Sequence, residues 1–81
     1  MDQGYIGEIR LVGFNFAPVN WAFCNGDILQ INQYMALFSL LGTTYGGNGQ
    51  TTFGLPNLNA GTLQPGLNYV ICVNGIFPSR N

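Results

Sequence analysis

The sequence has no lysine and no histidine. Arg10 and Arg80 are its only cations, and Asp2, Glu8 and Asp27 its only anions. Charged residues make up 6% of the chain, against about 25% for an ordinary soluble domain. Two arginines cannot supply a phosphate-tracking surface, so nucleic acid is not an expected partner. A zinc centre needs about four ligands, and two cysteines without histidine do not make one. Apolar runs reach only five residues, as at 69–73, whereas a membrane span needs about 18. The opening "MDQGYIGEIR" has no basic stretch followed by an apolar block and does not read as a Sec-type signal. Scarcity of charge does not mean disorder here, because 47% of the residues are apolar.

What is present implies a covered surface. Eighty-one residues make one small domain, which buries roughly 60–65% of its unfolded surface and is marginal alone. Colloidal solubility rests largely on surface charge. With so little of it, much of the surface is expected to be covered by other protein.

Catalysis is not expected. Without His or Lys, a general base would have to be Asp2, Glu8 or Asp27. Glu8 pairs most simply with Arg10, and Asp27 follows a turn signal, where Asp is common for backbone reasons. Cys24, Ser39 and Ser79 have no base nearby in sequence. Gly46, Gly47 and Gly49 are not followed by the Lys-Ser/Thr pair of a phosphate loop. No cofactor and no metal is expected. Cys24 and Cys72 sit in apolar segments and read as two buried small hydrophobes or as a bridge between strands.

The periodicities indicate a mainly β chain with one short α-helix. Residues 5–14 alternate, with Ile6, Glu8, Arg10 and Val12 on one face and Tyr5, Gly7, Ile9 and Leu11 on the other. Glu8 and Arg10 thus meet, within the chain or across an interface; solvated, such a pair is worth under about 1 kcal/mol. Asn25-Gly26 between "WAFC" and "DILQI" predicts a type I′ hairpin with strands over 20–24 and 27–31. Asn32 and Gly42 bracket Tyr34, Leu37, Phe38 and Leu41 at helical spacing, predicting a helix of about nine residues buried on more than one side. Residues 43–66 read as a long loop rich in Gly, Thr and Asn, with a short strand over 51–53. Loops of that length usually have a task. Residues 67–73 are apolar on both faces, which suits a central strand or one buried between subunits. After the Asn74-Gly75 turn, Ile76 and Phe77 return toward the core before Pro78.

These residues also resemble a family. The pieces are G-E-I-R at 7–10, N-F-A-P at 15–18, W-A-x-C-N-G at 21–26, A-L-F-S-L-L-G-T-T-Y-G-G at 36–47 and T-T-F-x-L-P-x-L at 51–58. In this order they are similar to the phage tail collar domain, especially to bacterial microcystin-dependent proteins. The segment "LNYVICVNGIFPSRN" at 67–81 resembles the close of the same group. The resemblance implies a trimeric, intertwined, β-rich module of tail fibres or related assemblies, often near a receptor-binding tip. It implies a single domain over 1–81: a collar core at 6–58, a connection at 59–66 and a closing strand at 67–81. Family members usually continue from L-P-D-L-R-G-R into a long variable region. Here that region is missing, and Asn57, Asn59 and Ala60 replace the Asp and Arg of that stretch.

The reading that follows is a non-enzymatic structural protein whose strands are completed within an oligomer. Its partners are copies of itself, as a homotrimeric fibre or an open filament. It is expected outside the producing cell or in a phage-like particle. The assembly interface is expected at Glu8, Arg10, Leu67, Tyr69, Ile71, Ile76, Phe77 and Arg80, with the segment after Gly75 packed in or against a neighbouring subunit. The alternative is a module binding a cell-surface glycan through aromatic rings, chiefly Trp21 and Tyr45, with Tyr34 and the Asn/Gly loops nearby.

Overall fold

The computed structural model describes residues 4–59 and 66–79. Five strands and one α-helix follow in the order β1 (Ile9–Val12), β2 (Trp21–Phe23), β3 (Ile28–Gln30), a 3₁₀ turn (Ile31–Gln33), α1 (Met35–Leu41), β4 (Thr52–Gly54) and β5 (Asn68–Cys72). They form a three-stranded sheet in the order β1-β5-β2 and a two-stranded sheet of β3 and β4. All pairings are antiparallel. The fold is mainly β with one short helix, as the periodicities imply.

β5 occupies the centre of the larger sheet, with Ile9 opposite Ile71 on one side and Ala22 opposite Ile71 on the other. This position explains why it is apolar on both faces. Ile71 and Val73 join Ile6, Cys24, Leu37, Phe53 and Leu55 in one buried cluster. Val70 and Cys72 point the other way, into a second cluster with Val12 and Trp21. Side chains alternate along a strand, so one central strand serves both clusters. The helix and the smaller sheet supply the rest of the first: Leu37 and Phe53 are fully buried, and Phe38 packs tilted against Phe53 with centroids 5.5 Å apart.

Two elements differ from the sequence-based expectation. The predicted type I′ hairpin is absent. β2 and β3 belong to different sheets, and Asn25 bridges Asn57 instead. A type I′ turn needs positive φ at both central residues, and only Gly26 has it, at 81°. Its N–H donates to the Pro56 carbonyl at 3.1 Å. Trp21–Phe23 gains more from pairing with a strand covered on both faces than from folding back on β3. Asn25-Gly26 therefore serves as a crossover between sheets. The helix is also shorter than predicted: Asn32 lies in the 3₁₀ turn, and Tyr34, without a side-chain cap, precedes α1. Gly42, at φ 59°, ends it as expected. Met35 and Leu40 of this helix remain exposed, so its outer side is uncovered within the chain.

Cys24 and Cys72 are both free and buried, and they belong to different clusters. The sheet separates them, so the bridge reading does not apply. Cys72 Sγ donates to the Asn74 carbonyl at 3.2 Å. Burial pushes the Cys24 thiol from 9.0 to about 11 and raises Cys72 as well. Both thiols are expected to resist iodoacetamide at pH 8 until the chain is denatured, and the unreduced intact mass should be that of two free thiols. The unfolded Cys24 ionises from about pH 9, the folded one only near 11. Its stabilising contribution is therefore complete below pH 9 and lost between 9 and 11. A Cys24→Ala variant should show a smaller fall in melting temperature over that interval than the parent.

Candidate assembly interface

The interface residues expected near the N-terminus form one connected station. Glu8 folds back on its own turn: its N–H donates to the Tyr5 carbonyl, and its Oε1 accepts from the Tyr5 N–H, each at 2.9 Å. Its Oε2 accepts from Arg10 Nε at 2.7 Å. This turn explains why the expected strand over 5–14 shortens to Ile9–Val12. The Arg10 guanidinium lies over the Trp21 ring, 5.1 Å from its centroid, a contact worth roughly 0.5–1 kcal/mol where exposed. The pair is thus satisfied inside one chain, and its role is to fix β1 against the N-terminal turn.

Trp21 itself is 6% exposed. A Cβ at Gly4 would lie 2.6 Å from its Cζ2, so backbone closes directly over the ring. It packs core and offers no face to a sugar. Tyr45 is half-exposed, but its carbonyl abuts Gly54 of the other sheet. Trp21 thus lies in the three-stranded sheet, and Tyr45 in the loop that packs on β4.

The closing segment pairs in its own chain. Ile6 N–H donates to the Ile76 carbonyl at 2.8 Å, and Ile76 N–H to the Gly4 carbonyl at 3.1 Å; Tyr5 and Ile76 form a parallel bridge. Within the chain, the main chain of this segment pairs with its own N-terminal turn. The docking is local, because the turn at Tyr5–Glu8 exposes a short backbone edge within reach of the sheet's last strand. The side chains are another matter: Ile76 and Phe77 are each 50% exposed. Leu67 and Tyr69 are half-buried, and Ile71 is fully enclosed by its own chain. Arg80 lies outside the described residues.

The structure adds residues to this border. Ile9 and Leu11, alternating on β1, are 40% and 47% exposed, and Tyr5 is 54% exposed. β1 is an edge strand of its sheet. The signal lies in the alternation that puts Tyr5, Ile9 and Leu11 on one face. Phe14 and Phe16 stack with centroids 4.6 Å apart in the loop after β1, both exposed.

Two asparagines hold the rest together. Asn48 Oδ1 accepts from the N–H groups of Gln50, Thr51 and Thr52 at 2.8, 2.8 and 3.1 Å, while its Nδ2 donates to Thr51 Oγ1 at 3.1 Å. One side chain thus replaces the missing secondary structure of the Gly-rich loop. Asn59 Oδ1 accepts from Tyr69 N–H at 2.7 Å, and its Nδ2 lies 3.0 Å from both the Tyr69 carbonyl and Asn25 Oδ1. It ties the start of β5 to the crossover. Its difference from the family's L-P-D-L-R-G-R pattern was the signal available.

Among the described residues no three His, Cys, Asp or Glu side chains gather where a metal could be held. None of their helices is long and apolar enough to cross a membrane. The arrangement is two small sheets, a sparsely charged surface and an apolar border along one edge strand. No curated protein matches the chain. A family model, the phage tail collar domain, matches residues 7–63, from the Glu8 turn through β4 and the Asn59 clamp. That domain is a structural component of phage tails. The match spans more than two thirds of the sequence, and the chain belongs to the phage tail collar domain family.

Proposed function

We propose that this chain is a structural unit of a phage tail or related assembly that associates with copies of itself through the apolar border of β1 and the closing segment. One observation carries the reading: Tyr5, Ile9, Leu11, Ile76 and Phe77 are each 40–54% exposed, and all lie on or beside β1 and the strand-like bridge between Tyr5 and Ile76. An exposed edge is normally blunted by charge, proline or a bulge. Among the described residues, the charges on this border are the Glu8–Arg10 pair, which is engaged with its own chain. Covering the exposed half of each of the five side chains is worth about 1 kcal/mol apiece, enough to matter for a small domain. The same border on a rotated copy closes a ring such as the trimer, while a contact that does not close extends a filament.

Sedimentation and electron microscopy of the purified protein test this. The wild-type chain is expected to run as a ring or filament, and a chain carrying Ile9→Asp and Leu11→Asp as a monomer. Truncation after Gly75 should weaken the assembly in the same direction. Unchanged particles in the double variant, at an unchanged melting temperature, would sink the proposal.

A further inference from the structure

The sequence holds three Asn-Gly steps, at 25–26, 48–49 and 74–75. In such a step the glycine nitrogen can attack the asparagine carboxamide, because glycine has no side chain to hinder the approach. The fold disarms two of the three. At 25–26 the Gly26 N–H donates to the Pro56 carbonyl at 3.1 Å, and Asn25 Oδ1 accepts from Asn59 Nδ2 at 3.0 Å. At 48–49 the Gly49 N–H donates to the Thr52 carbonyl at 3.0 Å, and the Asn48 carboxamide is held by three N–H groups and by Thr51 Oγ1. Nitrogen and carboxamide are both engaged there, and those bonds would have to open before any reaction. Asn74 is exposed, in a bend after β5. Among the described residues neither its carboxamide nor the Gly75 N–H has a hydrogen-bonding partner. We propose that Asn74-Gly75 is a self-modification site, where the chain deamidates and so loosens its closing segment from the N-terminal turn.

The step needs only water. The Gly75 nitrogen bonds to Asn74 Cγ, and the Cγ–Nδ2 bond breaks. The Gly75 amide proton passes by way of water to the departing nitrogen, which leaves as ammonia and closes a succinimide ring behind it. Water then opens the ring. Cleavage at Cγ gives an aspartate; cleavage at the main-chain carbonyl gives isoaspartate, whose backbone runs through Cβ. Both products replace a carboxamide with a carboxylate, taking the formal net charge from -1 to -2. Asn74 lies between two anchors. The Val73 and Asn74 N–H groups donate to the Asn20 carbonyl at 2.9 and 3.3 Å, and the Ile76 N–H donates to the Gly4 carbonyl at 3.1 Å. Isoaspartate adds one backbone carbon between them, so both anchors cannot keep their present register. β5 is held by a strand on each side, and the single Tyr5–Ile76 bridge gives way. Ile76 and Phe77 lie just beyond, so, resting on the self-association reading above, modified chains bind their copies more weakly.

Peptide mapping by mass spectrometry tests this, on protein aged in mildly alkaline buffer with and without urea. Each deamidation adds about 1 Da, and an isoaspartyl methyltransferase counts the isoaspartate. In urea the three steps are expected to react at comparable rates. In the folded chain Asn74 should react at least about tenfold faster than Asn25 or Asn48, since each of those must first release two or more hydrogen bonds. Amide exchange at Ile6 and Ile76 should quicken in the aged wild type. It should not in aged Asn74→Gln, whose longer side chain needs a larger, slower-forming ring. Equal rates at the three steps in the folded chain, an intact Asn74 there, or unchanged exchange after modification overturns the proposal. Sedimentation keeps the two readings apart. A wild type that is monomeric before ageing defeats the self-association reading, while site selectivity and amide exchange still decide this one.

Discussion

Gly47→Ala is expected to prevent the chain from reaching its folded form. Gly47 has φ 88°, a region L-residues with a side chain rarely enter. A Cβ there would stand 2.3 Å from Phe53 Cα and 2.6 Å from both Phe53 N and the Thr52 carbonyl oxygen. All three are backbone atoms of β4, so no rotamer change relieves the overlap. Either the loop lifts away or β4 does. If the loop lifts, the Gly54 N–H loses its bond to the Gly46 carbonyl, now 3.0 Å, and the Asn48 network opens. If β4 moves, Phe53 leaves the core. Each path costs several kcal/mol, comparable to the whole stability of an 81-residue domain. Circular dichroism and thermal melting should show an unfolded chain, or one melting tens of degrees lower. A cooperative transition at the parent's temperature would show that the loop does not pack on β4 as described.

Phe53→Ala should be the most damaging single truncation of the core. Phe53 is fully buried, the largest side chain so enclosed, and it contacts Phe38 of α1. It sits where the smaller sheet, the helix and one face of the larger sheet meet. Removing it leaves a cavity that three separate elements would have to close, and such cavities persist. A loss of about 3–5 kcal/mol is expected, read as a lower midpoint in urea with an unchanged slope. Met35→Ala on the outer side of the same helix, where the side chain is largely exposed, should change stability by only about 0.5 kcal/mol. Equal losses at the two positions would mean that Phe53 is not the junction.

Much of this was legible in local pattern. Period-two alternation located β1, and an apolar run on both faces identified β5 as a central strand. Helical spacing with Gly42 marked α1, and the Gly-rich stretch after it reads as a loop. Each rests on interactions between residues near in sequence or on burial that a single strand records by itself. The Glu8–Arg10 pair was legible for the same reason, since two residues apart on a strand share a face.

Partner choice was not legible. Asn25-Gly26 favours a tight turn locally, and nothing nearby in sequence says that the distant Val70–Cys72 provide a better strand partner for Trp21–Phe23. That competition is settled by burying both faces of β5, a long-range gain that outweighs a turn preference worth about 1 kcal/mol. The same holds for Asn48 and Asn59, ordinary loop residues until the chain brings backbone N–H groups to their carboxamides. Trp21 looked available for stacking on a ligand, and only the fold closes Gly4 over it. The sequence by itself determined the class of element at most positions, the scarcity of charge, and with it the expectation of a surface to be covered. The tertiary structure alone decided which strands pair and which of the apolar residues remain outside, because those depend on contacts between segments that no local window contains.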